Sequence, residues 1–239
     1  MTTLRTQFKL IALLIIKGAV TKSYQNLVML QNLYRLKALG FSYSDPFVTN
    51  KPTLMQELPK DLMQLQEIIS TCHLCDLSKS RHQSMAGSGN INAQLMIVDA
   101  YVSVSDDAAN SYYTGKSGES LIKMIENVIG LRREDVFLTH AVKCKPLGTN
   151  TSSKSECSSC KPFLYRQLEQ IKPKVVMTLG PDAYHLLSGD DTPFEQVRGH
   201  KITLDNYTVI PLYHPHFLLR NPSLKVDTLT DLKTIKSCL

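Results

Sequence analysis

Apolar residues follow two rhythms along this chain. Leu27, Leu30, Leu33, Tyr34 and Leu39 recur at near-helical spacing and stop at Gly40, which predicts a helix there. Pro46, Pro52 and Pro59 break the pattern, so residues 41–59 read as a wrapped linker. Leu62, Leu65, Ile68 and Ile69 resume helical spacing; the helix should run from Asp61 towards Ser70, turn these four inward and deliver Cys72 and Cys75 at its end. The second rhythm consists of short runs rich in β-branched residues: Leu95–Val98, Val136–Val142, Val175–Leu179 and Thr208–Leu212. Helical patterns lie between them at Ser120–Ile129, Pro162–Ile171 and Asp182–Leu187. Strands alternating with helices predict a parallel sheet covered on both faces. The expected architecture is a three-layer α/β/α sandwich around a four-stranded parallel sheet, spanning residues 60–239, behind a helical extension and linker at 1–59. In such sheets the site lies at the carboxyl ends of the strands. Those ends carry Asp99 to Asp107, His140 to Lys145, Gly180, and His214 to Arg220.

The start of the chain adds little to this picture. Leu10 to Ile16 is apolar, with Arg5 and Lys9 before it and Lys17 after it. The run is too short to span a membrane, and no small-x-small cleavage site follows. The expectation is a later natural start, for instance at Met29, with residues 1–28 poorly ordered or not made. No membrane partner and a cytoplasmic setting follow from the same reading. The formal net charge of +6 suits a polyanionic partner without establishing one.

Six cysteines in 239 residues do not make a disulfide scaffold. Cysteines gathered from distant segments more often hold a soft metal, because the thiolate is its preferred ligand. Two sets fit. Cys72-x2-Cys75 with Cys157-x2-Cys160 would make a four-cysteine zinc site. Exchanging Cys157 for Cys144, directly after a predicted strand, gives an iron–sulfur set. Spacing alone leaves both open. Cys238 reads as a spare thiol.

One ordered series of motifs narrows the choice. Cys72-x2-Cys75, Arg81, Gly87-x-Gly89, Lys143-Cys144-Lys145-Pro146, Cys160-Lys161-Pro162-Phe163-Leu164, Leu179-Gly180, Arg198-Gly199 and His214-Pro215-x3-Leu219-Arg220 occur in this order. The series, covering about residues 70–235, resembles the family 4 uracil-DNA glycosylases of bacteria and archaea, which carry a 4Fe–4S cluster. The resemblance implies cluster ligands at Cys72, Cys75, Cys144 and Cys160 and leaves Cys157 a bystander; the cluster is expected to be structural, because hydrolysis of a glycosidic bond moves no electrons. It also implies that His214 to Arg220 is the family's second motif. There a neutral His214 would donate to a carbonyl oxygen of the departing base, Leu218 or Leu219 would wedge the gap left by a flipped nucleotide, and Arg220 would hold a phosphate. Tyr112-Tyr113-Thr114-Gly115-Lys116-Ser117-Gly118 is similar to the family's G-x-P-F-V-G-x-x-G, which makes Tyr113 the ring that stacks on the base.

The departures from the family decide how far its activity carries over. The first motif, G-E-A-P-G, is replaced by Asp99-Ala100-Tyr101-Val102-Ser103, and the family's Glu, expected to position the attacking water, falls on Ala100. Asp99, Asp106 and Asp107 are candidate substitutes, although a one-residue shift in a strand turns a side chain to the other face. His140 stands where the family usually has an Asn that reads the uracil edge. A neutral imidazole also offers one donor and one acceptor, in another geometry. His140 therefore reads a base edge, activates water, marks a lapsed pocket, or merely neighbours the cluster.

The resulting expectation is a monomeric DNA-repair protein that hydrolyses the N-glycosidic bond of uracil in DNA at a reduced rate. His214, His140 and Asp99 would be at the chemistry, and Tyr113, Leu218, Leu219 and Arg220 on the DNA. Two alternatives are an iron–sulfur DNA-binding protein that has lost turnover and a glycosylase for another damaged base.

Overall fold

The computed structural model describes residues 58–148, 152–204 and 206–239. The helix expected between Leu27 and Leu39 lies outside these residues. Asp61 accepts a hydrogen bond from the Gln64 backbone and opens helix α1, Leu62–Ser70. Leu62, Leu65 and Ile69 turn inward as expected, whereas Ile68 is largely solvent-facing.

Six strands form one sheet: β1 Ser88–Gly89, β2 Leu95–Tyr101, β3 Phe137–Val142, β4 Val175–Leu179, β5 Ile202–Leu204 and β6 Tyr207–Leu212. Their order is β1-β3-β2-β4-β6-β5. The inner four, β3, β2, β4 and β6, are parallel and coincide with the four expected strands. The expectation of four strands is corrected at the edges, where β1 and β5 pair antiparallel. β1 is two exposed residues with no apolar signal, and β5 alternates Ile202, Thr203 and Leu204 over only three residues. Gly89 is required there, because a Cβ would lie 1.9 Å from the Val136 carbonyl oxygen and its φ is 127°.

Side chains alternate across the sheet. Met96, Val98, Phe137, Val176 and Val209 face one side with α1 and helix α4, Lys154–Ile171. Leu95, Ile97, Leu138, Met177 and Ile210 face the other, with helix α3, Gly115–Met124, the π-helical turn Ile125–Ile129 after it, and helix α8, Lys225–Lys236. These are the three layers. Between them run α2, Val104–Ala109, α5, Gly180–Ser188, α6, Phe194–Val197, and α7, Pro215–Arg220.

Candidate active site at the carboxyl ends of the strands

Asp99 is the fifth residue of β2, so alternation puts it on the face of Leu95 and Ile97 while Ala100 falls on the other. Its register partner in β3 is His140, and in β4 it is Leu179. From the end of β6, His214 reaches across, its Nε2 3.0 Å from Asp99 Oδ2. The second carboxylate oxygen accepts the Ala100 backbone N–H at 2.7 Å. Burial opposes ionisation of Asp99, yet the adjacent His214 and these hydrogen bonds outweigh it and hold the carboxyl below its ordinary range. A carboxylate therefore stands next to Ala100, the position that the resemblance matches to the family's Glu.

His214 is engaged at both nitrogens. Its Nδ1 accepts the His216 backbone N–H at 3.0 Å and caps α7. That acceptor role leaves the proton on Nε2, which donates to Asp99. Burial pulls its pKa down, and the Asp99 charge more than restores it.

His140 differs. It is 1% exposed, its Nδ1 is buried without a hydrogen-bond partner, and burial lowers its pKa to about 4 despite the pull of Asp99. The ring is stacked by Tyr112, with centroids 5.5 Å apart and planes at 21°. Tyr112 in turn accepts the Gly87 backbone N–H on its hydroxyl, and its carbonyl accepts from Arg133 at 3.1 Å. Sequence reading passed over Tyr112; the one cue was an aromatic where the family has Pro. Below His140, the buried Lys143 ammonium donates to the His140 carbonyl and the Thr139 hydroxyl, each at 2.6 Å.

Tyr113 sits beside this group at φ 57° with a buried hydroxyl that has no partner, and burial raises its pKa well above the ordinary value. Gly118 lets α3 approach it: a Cβ there would be 1.9 Å from the Tyr113 carbonyl oxygen. Asp106 and Asp107, two candidate carboxylates, are committed elsewhere. Asp106 accepts from the Thr114 backbone and hydroxyl at 2.7 and 2.6 Å and so fixes the tyrosine loop. Asp107 accepts the His82 backbone N–H at 3.2 Å and pairs with Lys145 at 3.3 Å.

The segment expected to meet DNA needs one correction. Leu218 is fully buried beneath α7 and is an anchor, not a wedge. Helical periodicity turns its neighbours outward: Phe217 is 44% and Leu219 39% exposed, and Arg220 is exposed.

On the other side of His140, Cys144 and Cys160 are buried with Leu77 and Val142, and Cys75 and Cys157 pack against them. Arg81 donates to Cys144 Sγ at 3.0 Å and to the Cys72 carbonyl at 2.6 Å. Burial raises the Cys144 thiol, and pushes Cys160 up to about 12. Cys157 directs its thiol instead to the Ser152 carbonyl, 3.9 Å away. Among the described residues, no three His, Cys, Asp or Glu side chains are gathered closely enough to hold a metal ion.

Comparison with known proteins agrees with this layout. The family model described as the Uracil DNA glycosylase superfamily matches residues 86–233, which contain the six strands and every side chain of the His140–Asp99–His214 group. A protein named Type-4 uracil-DNA glycosylase from Saccharolobus solfataricus is 32% identical over 179 residues, covering 72% of this chain and 83% of the relative. Proteins of the same name from Archaeoglobus fulgidus and Thermotoga maritima are each 32% identical and covered over 89% and 95% of their lengths. With a parallel four-strand centre, a His–Pro turn after the last of its strands and relatives matched over most of their length, this chain belongs to the uracil DNA glycosylase superfamily.

Proposed function

We propose that the protein is a DNA-repair glycosylase that hydrolyses the bond between uracil and deoxyribose. The observation that carries this reading is the 3.0 Å contact between Asp99 and His214, which restores a held, ionised carboxylate to a site whose aligned Glu is missing. In the reaction, a water attacks C1′ with its proton directed to Asp99, the C1′–N1 bond breaks, and the bonding pair leaves with the base as an anion. Tyr113 forms a wall for the extruded ring, and His140 meets its edge. Phe217 and Leu219 are the apolar side chains available to fill the vacated stack, and Arg220 takes a phosphate.

A 4Fe–4S cluster held by Cys72, Cys75, Cys144 and Cys160 belongs to this proposal. What supports it is the charge around the cysteines, since the thiols themselves are not gathered at ligand distances. Lys143 is wholly buried and hydrogen-bonds only neutral oxygens, those of Thr139, His140 and Gln167; burial lowers its pKa to about 7, and negative charge at Cys160 and Cys144 favours its charged form. Arg81 adds a second positive group at Cys144. Thiolates would supply the negative charge these cations lack. When bound, the cluster would tie the segment after α1 to β3 and α4; glycosidic hydrolysis moves no electrons. The reading carries with it a monomer in the cytoplasm. Among the described residues no helix is long and apolar enough to cross a membrane.

The test is excision from single- and double-stranded DNA containing uracil. Wild type should release the base, and Asp99→Asn should slow release by about 10²–10⁴-fold, the usual contribution of a positioned general base. Ala100→Glu should not accelerate it, because that position faces away from Asp99 and is buried. Intact uracil-containing DNA under wild type at low salt would overturn the reading; full activity in Asp99→Asn would remove the carboxylate from it.

A further inference from the structure

The site holds two imidazoles, and they are not equivalent. Both nitrogens of His214 are taken within the protein, Nε2 by Asp99 and Nδ1 by the His216 N–H that starts α7. Among the described residues, no hydrogen bond engages the ring of His140, and its Nδ1 is buried and unpaired. With neither ring nitrogen engaged by the protein, the imidazole is free to present one N–H to a ligand that arrives later.

We infer that His140 donates the hydrogen bond that stabilises the base as it leaves, and that His214 is a positioning residue that holds Asp99 for the attack of water. This rests on the glycosylase reading. The register of β2 and β3 sets His140 beside Asp99 on the same face, so donor and carboxylate serve the two ends of one displacement. A buried N–H without an acceptor costs more than a buried lone pair, which favours the tautomer with the proton on Nε2. Stacking by Tyr112, itself pinned to Gly87, fixes the ring plane before substrate arrives. A neutral, fixed imidazole is a suitable donor to an oxygen that gains charge during bond cleavage.

The bond changes balance without a proton from His140. Water adds its oxygen to C1′ and gives its proton to Asp99. The C1′–N1 bond breaks, and the electron pair delocalises onto the carbonyl oxygens of the base. His140 keeps its proton and only hydrogen-bonds one of those oxygens; the anion is protonated after release. The roles of the two histidines are therefore separable by leaving-group ability.

The experiment compares single-turnover excision of uracil and of 5-fluorouracil, whose anion is intrinsically more stable, from the same single-stranded oligonucleotide. Two donor-less variants of different size, His140→Phe and His140→Val, should slow uracil release by about 10²–10³-fold, as loss of one such donor does. They should slow 5-fluorouracil release at least about tenfold less. His140→Gln, which keeps an N–H, should stay near the wild-type ratio of the two rates. His214→Ala should slow both substrates alike and leave the ratio unchanged. A variant damaged only in packing loses both rates together, so the ratio isolates the donor. An unchanged ratio in both donor-less variants, or a ratio that moves in His214→Ala instead, overturns the assignment. Wild type that releases neither base overturns the glycosylase reading itself, a result distinct from release with an indifferent ratio.

Discussion

His140 takes up no proton in the folded protein until the pH has fallen to about 4, because burial disfavours the imidazolium, whereas an unperturbed side chain titrates near 6.5. Between those values the unfolded chain binds a proton that the native state does not, so stability falls as the pH falls. The difference amounts to about 3 kcal/mol at its largest, at 1.36 kcal/mol per pKa unit. The expected outcome is that the urea midpoint of wild type drops from pH 6.5 to 4 relative to that of His140→Phe, which has no such proton to bind. Parallel profiles for the two proteins would show that the ring is hydrated in the native state. The sequence marked Asp99, His140 and His214 as candidates but could not say which nitrogen of which ring was free, because that depends on partners 115 residues apart. It left Asp99 in doubt for a related reason. Alternation along β2 was legible; the face on which the site would open was not.

At the scale of elements, helix α7 shows how the helical turn divides the residues of one motif between core and surface. His214 caps the helix, Pro215 begins it and Arg220 ends it, and the helical turn puts Leu218 inside and its two neighbours outside. Leu218→Ala should cost about 2–5 kcal/mol of stability as a large-to-small core change. Leu219→Ala should leave stability within about 0.5 kcal/mol and weaken action on duplex more than on single strands. Chemical denaturation and paired excision assays check both; equal stability loss in the two variants would count against the anchor. The four central strands were legible because each is a run buried on both faces. Helix α4 was read from Pro162 onward, yet it begins at Lys154 behind a Ser153–Glu156 capping box, and its interior proline does not end it. Helix α8 gave no signal, since its buried face includes Thr228 and Asp231 while Val226 and Leu229 face solvent. Asp231 tolerates that position through its contact with Arg198.

For the whole molecule, the four candidate ligands lie on parts of the chain that the sheet does not join. Cys72 and Cys75 follow α1, Cys144 follows β3, and Cys160 lies within α4. Purified anaerobically, the protein should be brown, and replacing any one of Cys72, Cys75, Cys144 or Cys160 by Ser should bleach it and lower its melting temperature. Cys157→Ser should keep the colour. Colourless protein with zinc bound, dependent on Cys157, would select the other pairing, and elemental analysis distinguishes the two. The order of the motifs made the family legible over most of the domain, while the short edge strands escaped because two or three residues carry too little pattern.

One ring links the surface of the protein to its interior. His214 caps α7 through one nitrogen and holds Asp99 through the other, and an imidazole does not bend between them. The helix that presents Phe217, Leu219 and Arg220 is thus tied at its first turn to the carboxylate. On the proposed reading, a displacement of the first turn of α7 against DNA would shift the His214 ring and with it the hydrogen bond that holds Asp99. Grip and reaction geometry would then share a joint, so hold on the strand would be coupled to the placement of the carboxylate.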